Sequence, residues 1–301
     1  MTKTHAHRLS FANDTQNEPA YPCKKVLIAG GSGIYHGAPI LSSLSARTAG
    51  SNIVVTIAIP HINETVTRIL STGSIVVPFP DEKLTSKSVG HLLRFLMQDK
   101  QDSAAIGMGM HLSTADPLKR LVKELLQCNT RPVLDASALV PEILGTVSQT
   151  KTVLTPHPGE YKRLFNEPAG TTESEIKSSV LKKAKDHGII IVLKGFVNII
   201  SDGDQLVAIP RSTPAMTVGG TGDVLSGLIA GLLTQINSEF DACRIAVYLN
   251  GIAAMKAFKK IGLHMLATDL IEELPEVMEE YNGKIHSLQR KPSRSKLLDQ
   301  H

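Results

Sequence analysis

Short, nearly unbroken apolar runs alternate along this chain with longer stretches of helical spacing. The first, Lys24 to Ala29 (KKVLIA), reads as a buried strand and stops at Gly30, Gly31, Ser32 and Gly33. Small and apolar residues then suggest a helix to about Ala49. Asn52 to Ile59 and Ser74 to Val77 read as strands, and His91 to Met97 as a helix. Ala104 to Met110 (AAIGMGM) is a strand ending in glycines, Leu118 to Gln127 has helical spacing, and Pro132 to Leu134 runs as a strand into Asp135. Thr152 to Leu154 is a strand that stops at the turn Thr155-Pro156-His157-Pro158-Gly159-Glu160. Ser174 to His187 is helical with Gly188 as its stop, and Ile189 to Leu193 is a buried strand ending at Lys194-Gly195. Asn198 to Ser201 and Leu206 to Ile209 flank Asp202-Gly203-Asp204 as a hairpin. Helices are expected near Asp241 to Phe258 and Thr268 to Glu280. Strands alternating with helices argue an α/β domain, a mostly parallel sheet with helices on both faces. The boundaries expected are a polar tail over 1–23, one domain over 24–282 and a basic tail over 283–301.

Thr217 to Leu233 (TVGGTGDVLSGLIAGLL) breaks the rhythm, because a glycine loop feeds directly into an apolar helix dotted with small residues. A helix start carries N–H groups without intrahelical partners and the positive end of the helix dipole, which together suit an anion. Asp223 beside that start adds negative charge, which makes sense if its carboxylate faces a hydroxyl next to a phosphate. Alternatively it only caps the helix. In open α/β sheets, ligands sit beyond the carboxyl ends of the strands. Ser32 and Tyr35, Gly107 and Gly109, Asp135, His157 with Glu160, Lys194 with Gly195, and Gly219 to Asp223 all follow strands. Each has a bland reading alone: a cap for Asp135, a surface amine for Lys194, turn packing for His157.

The remaining chemistry narrows by exclusion. The glycines after the first strand miss the dinucleotide fingerprint, with His36 at the third glycine position, and no Walker A segment is present. A nucleotide would therefore use Gly219 to Gly222. Phosphoryl transfer needs positioning and charge neutralisation more than covalent catalysis, which an anion-binding helix end beside a carboxylate base supplies. A magnesium ion bound through water to phosphates and Glu160 would complete it. Over 301 residues, 42% are apolar, enough for a large core, and no apolar run approaches a membrane span. The net charge of +4 comes largely from the tail around Lys291, Arg294 and Lys296, with few aromatics beside it, so no nucleic-acid surface is expected. Cys23, Cys128 and Cys243 match no metal spacing, and the start has no apolar signal region, so a soluble cytoplasmic protein with reduced thiols is expected.

With these residues in hand, the chain resembles the ribokinase-like superfamily, and within it the ADP/ATP-dependent NAD(P)H-hydrate dehydratases. The likeness rests on Gly31 to Gly50, on Leu154 to Leu164 (LTPHPGEYKRL), on Leu193 to Gly195, on Gly219 to Gly227 (GGTGDVLSG), on YLNG and on DLIEELP. GTGD marks the superfamily alone, while TPHPGE and the early Tyr-x-Gly-Ala segment point to the dehydratases. The resemblance implies a three-layer ribokinase-like sandwich. It implies Asp223 as the catalytic base that also contacts substrate, and ADP or ATP with Mg²⁺ as cofactors. Gly219, Gly220, Thr221 and Gly222 would line the phosphates, and Lys194, Gly195, Phe196, Val197 and Asn198 would border adenosine. Ala38, Gly109 and His157 would contact hydrated NADH or NADPH, and Glu160 matches the carboxylate associated with magnesium. A homo-oligomer and a separate NAD(P)HX epimerase are implied as partners.

The chain departs from the family pattern at Ser137 (DASAL for DADAL), at Met108 and His111 in the glycine turn, and at Asn250 (YLNG for YLHG). These departures are expected on the substrate side. Two other readings compete: a small-molecule kinase of the same superfamily, and a nucleotide-binding protein without turnover. A free Asp is a weak base, near pKa 3.9, and a helix N-terminus should favour its ionised form further.

Overall fold

The structure, a computed structural model, describes residues 24–51, 53–58, 69, 73–78, 81–96 and 100–289. The expected tail over 1–23, with Cys23, and the basic residues from 290 onward lie outside the described residues, as do Asn52, Ile59 and Met97.

Nine strands form one sheet: β1 Lys25–Ala29, β2 Ile53–Ala58, β3 Ser74–Pro78, β4 Ser103–Ile106, β5 Arg131–Leu134, β6 Val153–Leu154, β7 Ile190–Leu193, β8 Val197–Ser201 and β9 Leu206–Pro210. Their order is β3-β2-β1-β4-β5-β6-β7-β8-β9. The first seven pair in parallel, with Leu27 opposite Val55 on one side and Ala104 on the other. The hairpin read from Asp202-Gly203-Asp204 adds two antiparallel strands, with Val192 opposite Ile200 and Ile200 opposite Val207.

The described helices are α1 Gly37–Thr48, α2 Ser86–Leu96, α3 Ala115–Gln127, α4 Leu144–Val147, α5 Pro158–Phe165, α6 Glu173–His187, α7 Thr221–Leu233, α8 Glu239–Ile261 and α9 Ala267–Gln289. Side chains on a strand point alternately to opposite faces, and this divides the core in two. Leu27, Ala104, Leu134 and Ile191 face one cluster with Leu92, Leu121, Leu164 and Val180 from the helices α2, α3, α5 and α6. Val26, Ala105, Val133 and Val192 face the other, with Leu228, Ala246 and Leu270 from α7, α8 and α9. Strands buried on both faces explain why they read as continuous apolar runs rather than alternating ones. The result is the expected three-layer α/β sandwich. Among the described residues no helix is long and apolar enough to cross a membrane.

Several elements differ from the sequence reading: α2 begins at Ser86 rather than His91, the strand read over Ala104 to Met110 ends at Ile106, and α4 has no counterpart in that reading. The Thr155–Glu160 segment, read as a turn, opens helix α5, with His157 at its N-cap and Pro158 as its first residue, where a missing N–H costs nothing. The last helix runs past Glu280 to Gln289 and contains Pro275. Gly188, by contrast, stops α6 as expected, in the left-handed conformation at φ 59°.

Small residues set the approach of α7 to its neighbours. A Cβ on Gly227 would lie 2.1 Å from the Ser42 carbonyl oxygen, and one on Gly231 would lie 2.4 Å from Ala49 Cβ. The close approach lets Ser42 Oγ donate to the Asp223 carbonyl at 2.8 Å and Ser45 Oγ to the Val224 carbonyl at 2.7 Å. Helix α7 is thereby held to α1 through its first turn, the turn that carries the candidate chemistry.

Candidate active site

The strand order reverses between β1 and β4, and the glycine turns after these two strands meet there. Gly31 N donates to the Met108 carbonyl at 2.7 Å, and that carbonyl occupies the space a side chain on Gly30 would need. Gly109, at φ 65°, lies against Tyr35 and Ala38; a Cβ added to it would be 2.7 Å from Tyr35 Cβ and 3.2 Å from Ala38 Cβ. Ala38 is one helical turn before Ser42, which holds Asp223's backbone, so α1 links this corner to the start of α7. Tyr35 is exposed, and its ring meets His111 edge to face at 6.2 Å. The other departures in this corner are structural: Met108 is buried, and Ser137 Oγ donates to the Met110 carbonyl at 2.5 Å.

The glycine loop is held from within. Gly220 caps α7 at φ 96°, where any Cβ would strike Leu41 and Ala267. Thr221 Oγ1 donates to the Met216 carbonyl at 3.0 Å. The helix's ladder begins only with Val224 N donating to the Gly220 carbonyl at 3.0 Å. The N–H groups of Thr221, Gly222 and Asp223 therefore have no intrahelical acceptor.

Behind that helix end, residues from four strand ends and helices form one charge cluster. Lys194 Nζ, just past β7, donates to Asp135 Oδ1 at 2.7 Å and stands 3.9 Å from Glu160 Oε2. Asp135, buried at the end of β5, also accepts from Ala136 N at 2.8 Å and from Ser226 Oγ at 2.5 Å. Although burial alone would lower the Lys194 ammonium, Asp135, Glu160 and Asp223 outweigh it and hold it above the usual lysine range. Glu160 closes the capping box of α5: its Oε2 accepts from His157 N at 2.8 Å, and His157 Nδ1 accepts from Gly159 N at 3.0 Å.

Asp223 itself is different. Among the described residues its carboxylate makes no hydrogen bond, and it sits half-buried at the start of α7. Burial, joined by the nearby Asp135 and Glu160 charges and opposed by Lys194, pushes its pKa up to about 7. This corrects the expectation that the helix start would favour the ionised form. One lysine neutralised by two other carboxylates, in a site shielded from water, cannot offset the desolvation of a third.

A cavity of about 370 Å³ borders the glycine loop, lined by His157, Lys194, Asn198, Val218, Gly220, Thr221, Gly222, Leu225, Val247 and Asn250. Gly222 has no side chain to stand between the cavity and Lys194 Nζ. Gly219 lies between the lining residues Val218 and Gly220 and faces open space. Gly195, Phe196 and Val197 line a neighbouring, more apolar cavity of about 440 Å³, where exposed Phe196 stacks on the Arg211 guanidinium at 5.4 Å. Asn250, expected on the substrate side, instead shares the cavity of the glycine loop, because α8 packs against α7 and carries it there. Among the described residues no three His, Cys, Asp or Glu side chains are arranged to hold a metal directly. A magnesium ion that keeps most of its waters and leans on phosphates fits such a site, because it needs only one or two protein carboxylates.

Sequence reasoning missed the two partners that arrange the cluster. Ser226 reads as a small packing residue, and His157 as a ring held in a turn rather than as a helix cap. The latter had a signal: a polar residue followed three positions later by Glu160 is the spacing of a capping box.

Comparison with known proteins agrees with this geometry. The family model described as NAD(P)H-hydrate dehydratase matches residues 26–276. The ADP-dependent (S)-NAD(P)H-hydrate dehydratase of Nitrosopumilus maritimus (strain SCM1) is 46% identical over 257 residues, covering 85% of this chain and 89% of that protein. The bifunctional NAD(P)H-hydrate repair enzyme of Hyperthermus butylicus is 36% identical and matches over 91% of this chain, but over 51% of its own length. The solved ADP/ATP-dependent NAD(P)H-hydrate dehydratase from Bacillus subtilis, co-crystallised with ATP/Mg²⁺ and soaked with CoA, superposes with a TM-score of 0.71 at 26% identity, covering 86% of this chain and 92% of that one. From the strand-end cluster, the glycine-capped helix and these matches together, the chain belongs to the NAD(P)H-hydrate dehydratase family.

Proposed function

We propose that the chain dehydrates hydrated NADH and NADPH, phosphorylating the hydrate hydroxyl from ADP or ATP and eliminating phosphate to restore the reduced nicotinamide. One observation carries the mechanism: a carboxylate without hydrogen bonds among the described residues, pushed up to about pKa 7, sits on the same helix turn as three N–H groups that have no acceptor within the helix. Asp223 is the base. Near neutral pH a substantial share of it is ionised, and it binds a proton far better than an ordinary aspartate, which is the balance general-base catalysis requires. The N–H groups of Thr221, Gly222 and Asp223 face the phosphate oxygens, with Gly219 and Gly220 shaping the loop. Lys194 stays cationic but is already neutralised by Asp135 and Glu160, so it tunes Asp223 and borders the nucleotide rather than gripping it as a lone charge. Gly195, Phe196, Val197 and Asn198 continue that border toward adenosine.

Ala38, Gly109 and His157 contact the hydrated dinucleotide. The glycine–alanine corner packs the turns after β1 and β4 closely beside the start of α1, and His157 keeps an exposed imidazole edge at the lining of the glycine-loop cavity. Glu160 would hold magnesium through water, supplying charge neutralisation for the phosphates. We place the enzyme in the cytoplasm as a homo-oligomer, acting on a small dinucleotide rather than on nucleic acid or membrane. A separate epimerase would supply the hydrate epimer it uses. Three cysteines without metal spacing, and a relative carrying repair activity on a chain about twice as long, support that placement.

The test is incubation with hydrated NADH and ADP or ATP, following absorbance of the reduced nicotinamide and release of inorganic phosphate. Both should rise together. Accumulation of a stable phosphorylated product would identify a kinase, and thermal stabilisation by nucleotide without turnover would identify a silent binder.

A further inference from the structure

One lysine and one arginine, Lys194 and Arg211, line the glycine-loop cavity. Their surroundings differ. Lys194 Nζ stands 2.7 Å from Asp135 Oδ1 and 3.9 Å from Glu160 Oε2, so the protein already matches its charge. Among the described residues the Arg211 guanidinium has no carboxylate at ion-pair distance and donates no hydrogen bond. It stacks instead on Phe196, with Cζ 5.4 Å from the ring centre. That ring is 84% exposed, so burial gives little reason for a large aromatic there. The backbone fixes the pair, because Arg211 N donates to the Phe196 carbonyl at 2.7 Å just beyond the last β8–β9 pair, Val197 and Pro210. Stacking restrains the face of the guanidinium plane and leaves the N–H fork along its edge for another partner. Arg211 also lines the apolar cavity beside Phe196, so it borders both.

The charge beside the glycine loop is otherwise unfavourable for a polyphosphate, with Asp135, Glu160 and Asp223 set against Lys194 alone. A guanidinium fork without a carboxylate partner suits phosphate oxygens, which accept parallel N–H bonds from it. We propose that Arg211 grips the phosphates of the nucleotide donor, with the Phe196 ring holding its plane. This rests on the reading of the glycine-loop cavity as the nucleotide site, and adds to it the unneutralised cation that Lys194 does not provide.

Calorimetric titration of the full chain with ADP and with adenosine, in the presence of Mg²⁺, tests this, because the two ligands share the nucleoside and differ in the phosphates. Arg211→Gln should weaken ADP about 10–100-fold, the span for hydrogen bonds to a charged partner, and leave adenosine within about two-fold. Arg211→Lys keeps the charge without the fork and should recover part of that loss. Unchanged ADP affinity in Arg211→Gln, or equal weakening of ADP and adenosine, would overturn the assignment while leaving the nucleotide site standing. Wild type gives an independent reading through phenylglyoxal, which modifies guanidinium groups. ADP should protect Arg211, mapped by peptide mass spectrometry, and adenosine should not. Modification of Arg211 at the same rate with and without saturating ADP would overturn the assignment even if neither variant folds. Failure of wild type to bind ADP would overturn both the assignment and the site beneath it.

Discussion

On one flank of Asp223 every charged group is tied down, while on the other the wall is glycine, alanine and an exposed tyrosine. The tied flank holds Asp135 with three hydrogen-bond donors, Lys194 against two carboxylates, and Glu160 locked in a helix cap. The open flank holds Gly31, Gly109 and Ala38, packed so closely that no larger residue fits at Gly109. The first flank works through electrostatics, because fixed charges in a shielded site set the proton affinity of the one carboxylate left unpaired. The second works through shape. Asp135 and Asp223 show the contrast within one residue type: the same side chain is structural where its lone pairs are filled and chemical where they are not.

Removing the unpaired carboxylate should have the largest effect. Asp223→Asn should lower turnover by about 10²–10⁴-fold, the usual contribution of a general base, while ADP affinity stays within a few-fold. Steady-state rates beside equilibrium binding check this, and a near-normal rate would mean that Asp223 is not the base.

Loosening the tied flank comes next. Lys194→Met leaves Asp135 buried without its cation, and losing one partner of a buried pair costs about 3–5 kcal/mol. Denaturant unfolding reads that loss. The same change removes the one charge that lowers Asp223's pKa, so in protein that still folds, the acid limb of the rate profile should move to higher pH.

The unaltered enzyme already sharpens the comparison through pH. Turnover requires ionised Asp223, so kcat/KM should fall on the acid side with an apparent pKa near 7. Folding stability runs the opposite way. Asp223 holds its proton up to about pH 7 in the native state but only to about 3.8 when unfolded, so it favours the native state below pH 4 and that contribution is lost as pH rises through 7. Asp223→Asn lacks this loss, and its Tm relative to wild type should climb between pH 4 and pH 8. A difference in Tm that is flat with pH would mean that the group is not desolvated.

The smallest effect is expected at His157, which caps α5 and lines the glycine-loop cavity. His157→Ala removes the N-cap of α5 and should cost about 0.5–2 kcal/mol. It should also raise the KM for hydrated dinucleotide with little change in the KM for ADP. An equal rise in both would assign the ring to the nucleotide flank.

Much of the fold was legible because burial on both sheet faces writes continuous apolar runs, and Asp-Gly turns and Gly188 mark where the chain reverses or stops. The start of α5 was not, since two prolines and a glycine look like a turn until the His157–Glu160 box satisfies the helix end. At the site, each candidate was visible as an unusual residue after a strand. The proton affinity of Asp223 was not visible, because it depends on Asp135, 88 positions earlier in the chain, and Lys194, 29 positions earlier. Nor could the sequence show that Ser226, a small residue in an apolar helix, holds Asp135 in place.

By itself, the sequence determined which segments are strands, which helix begins with glycine, and which side chains capable of chemistry stand at strand ends. Those are local properties, written in periodicity and in the backbone freedom of single residues. Tertiary structure alone decided which of those side chains meet, which carboxylate is left unpaired among three, and where Asn250 lies. Charge coupling and desolvation act through space, across elements brought together by the strand order 3-2-1-4-5-6-7-8-9 and by the packing of α7 and α8.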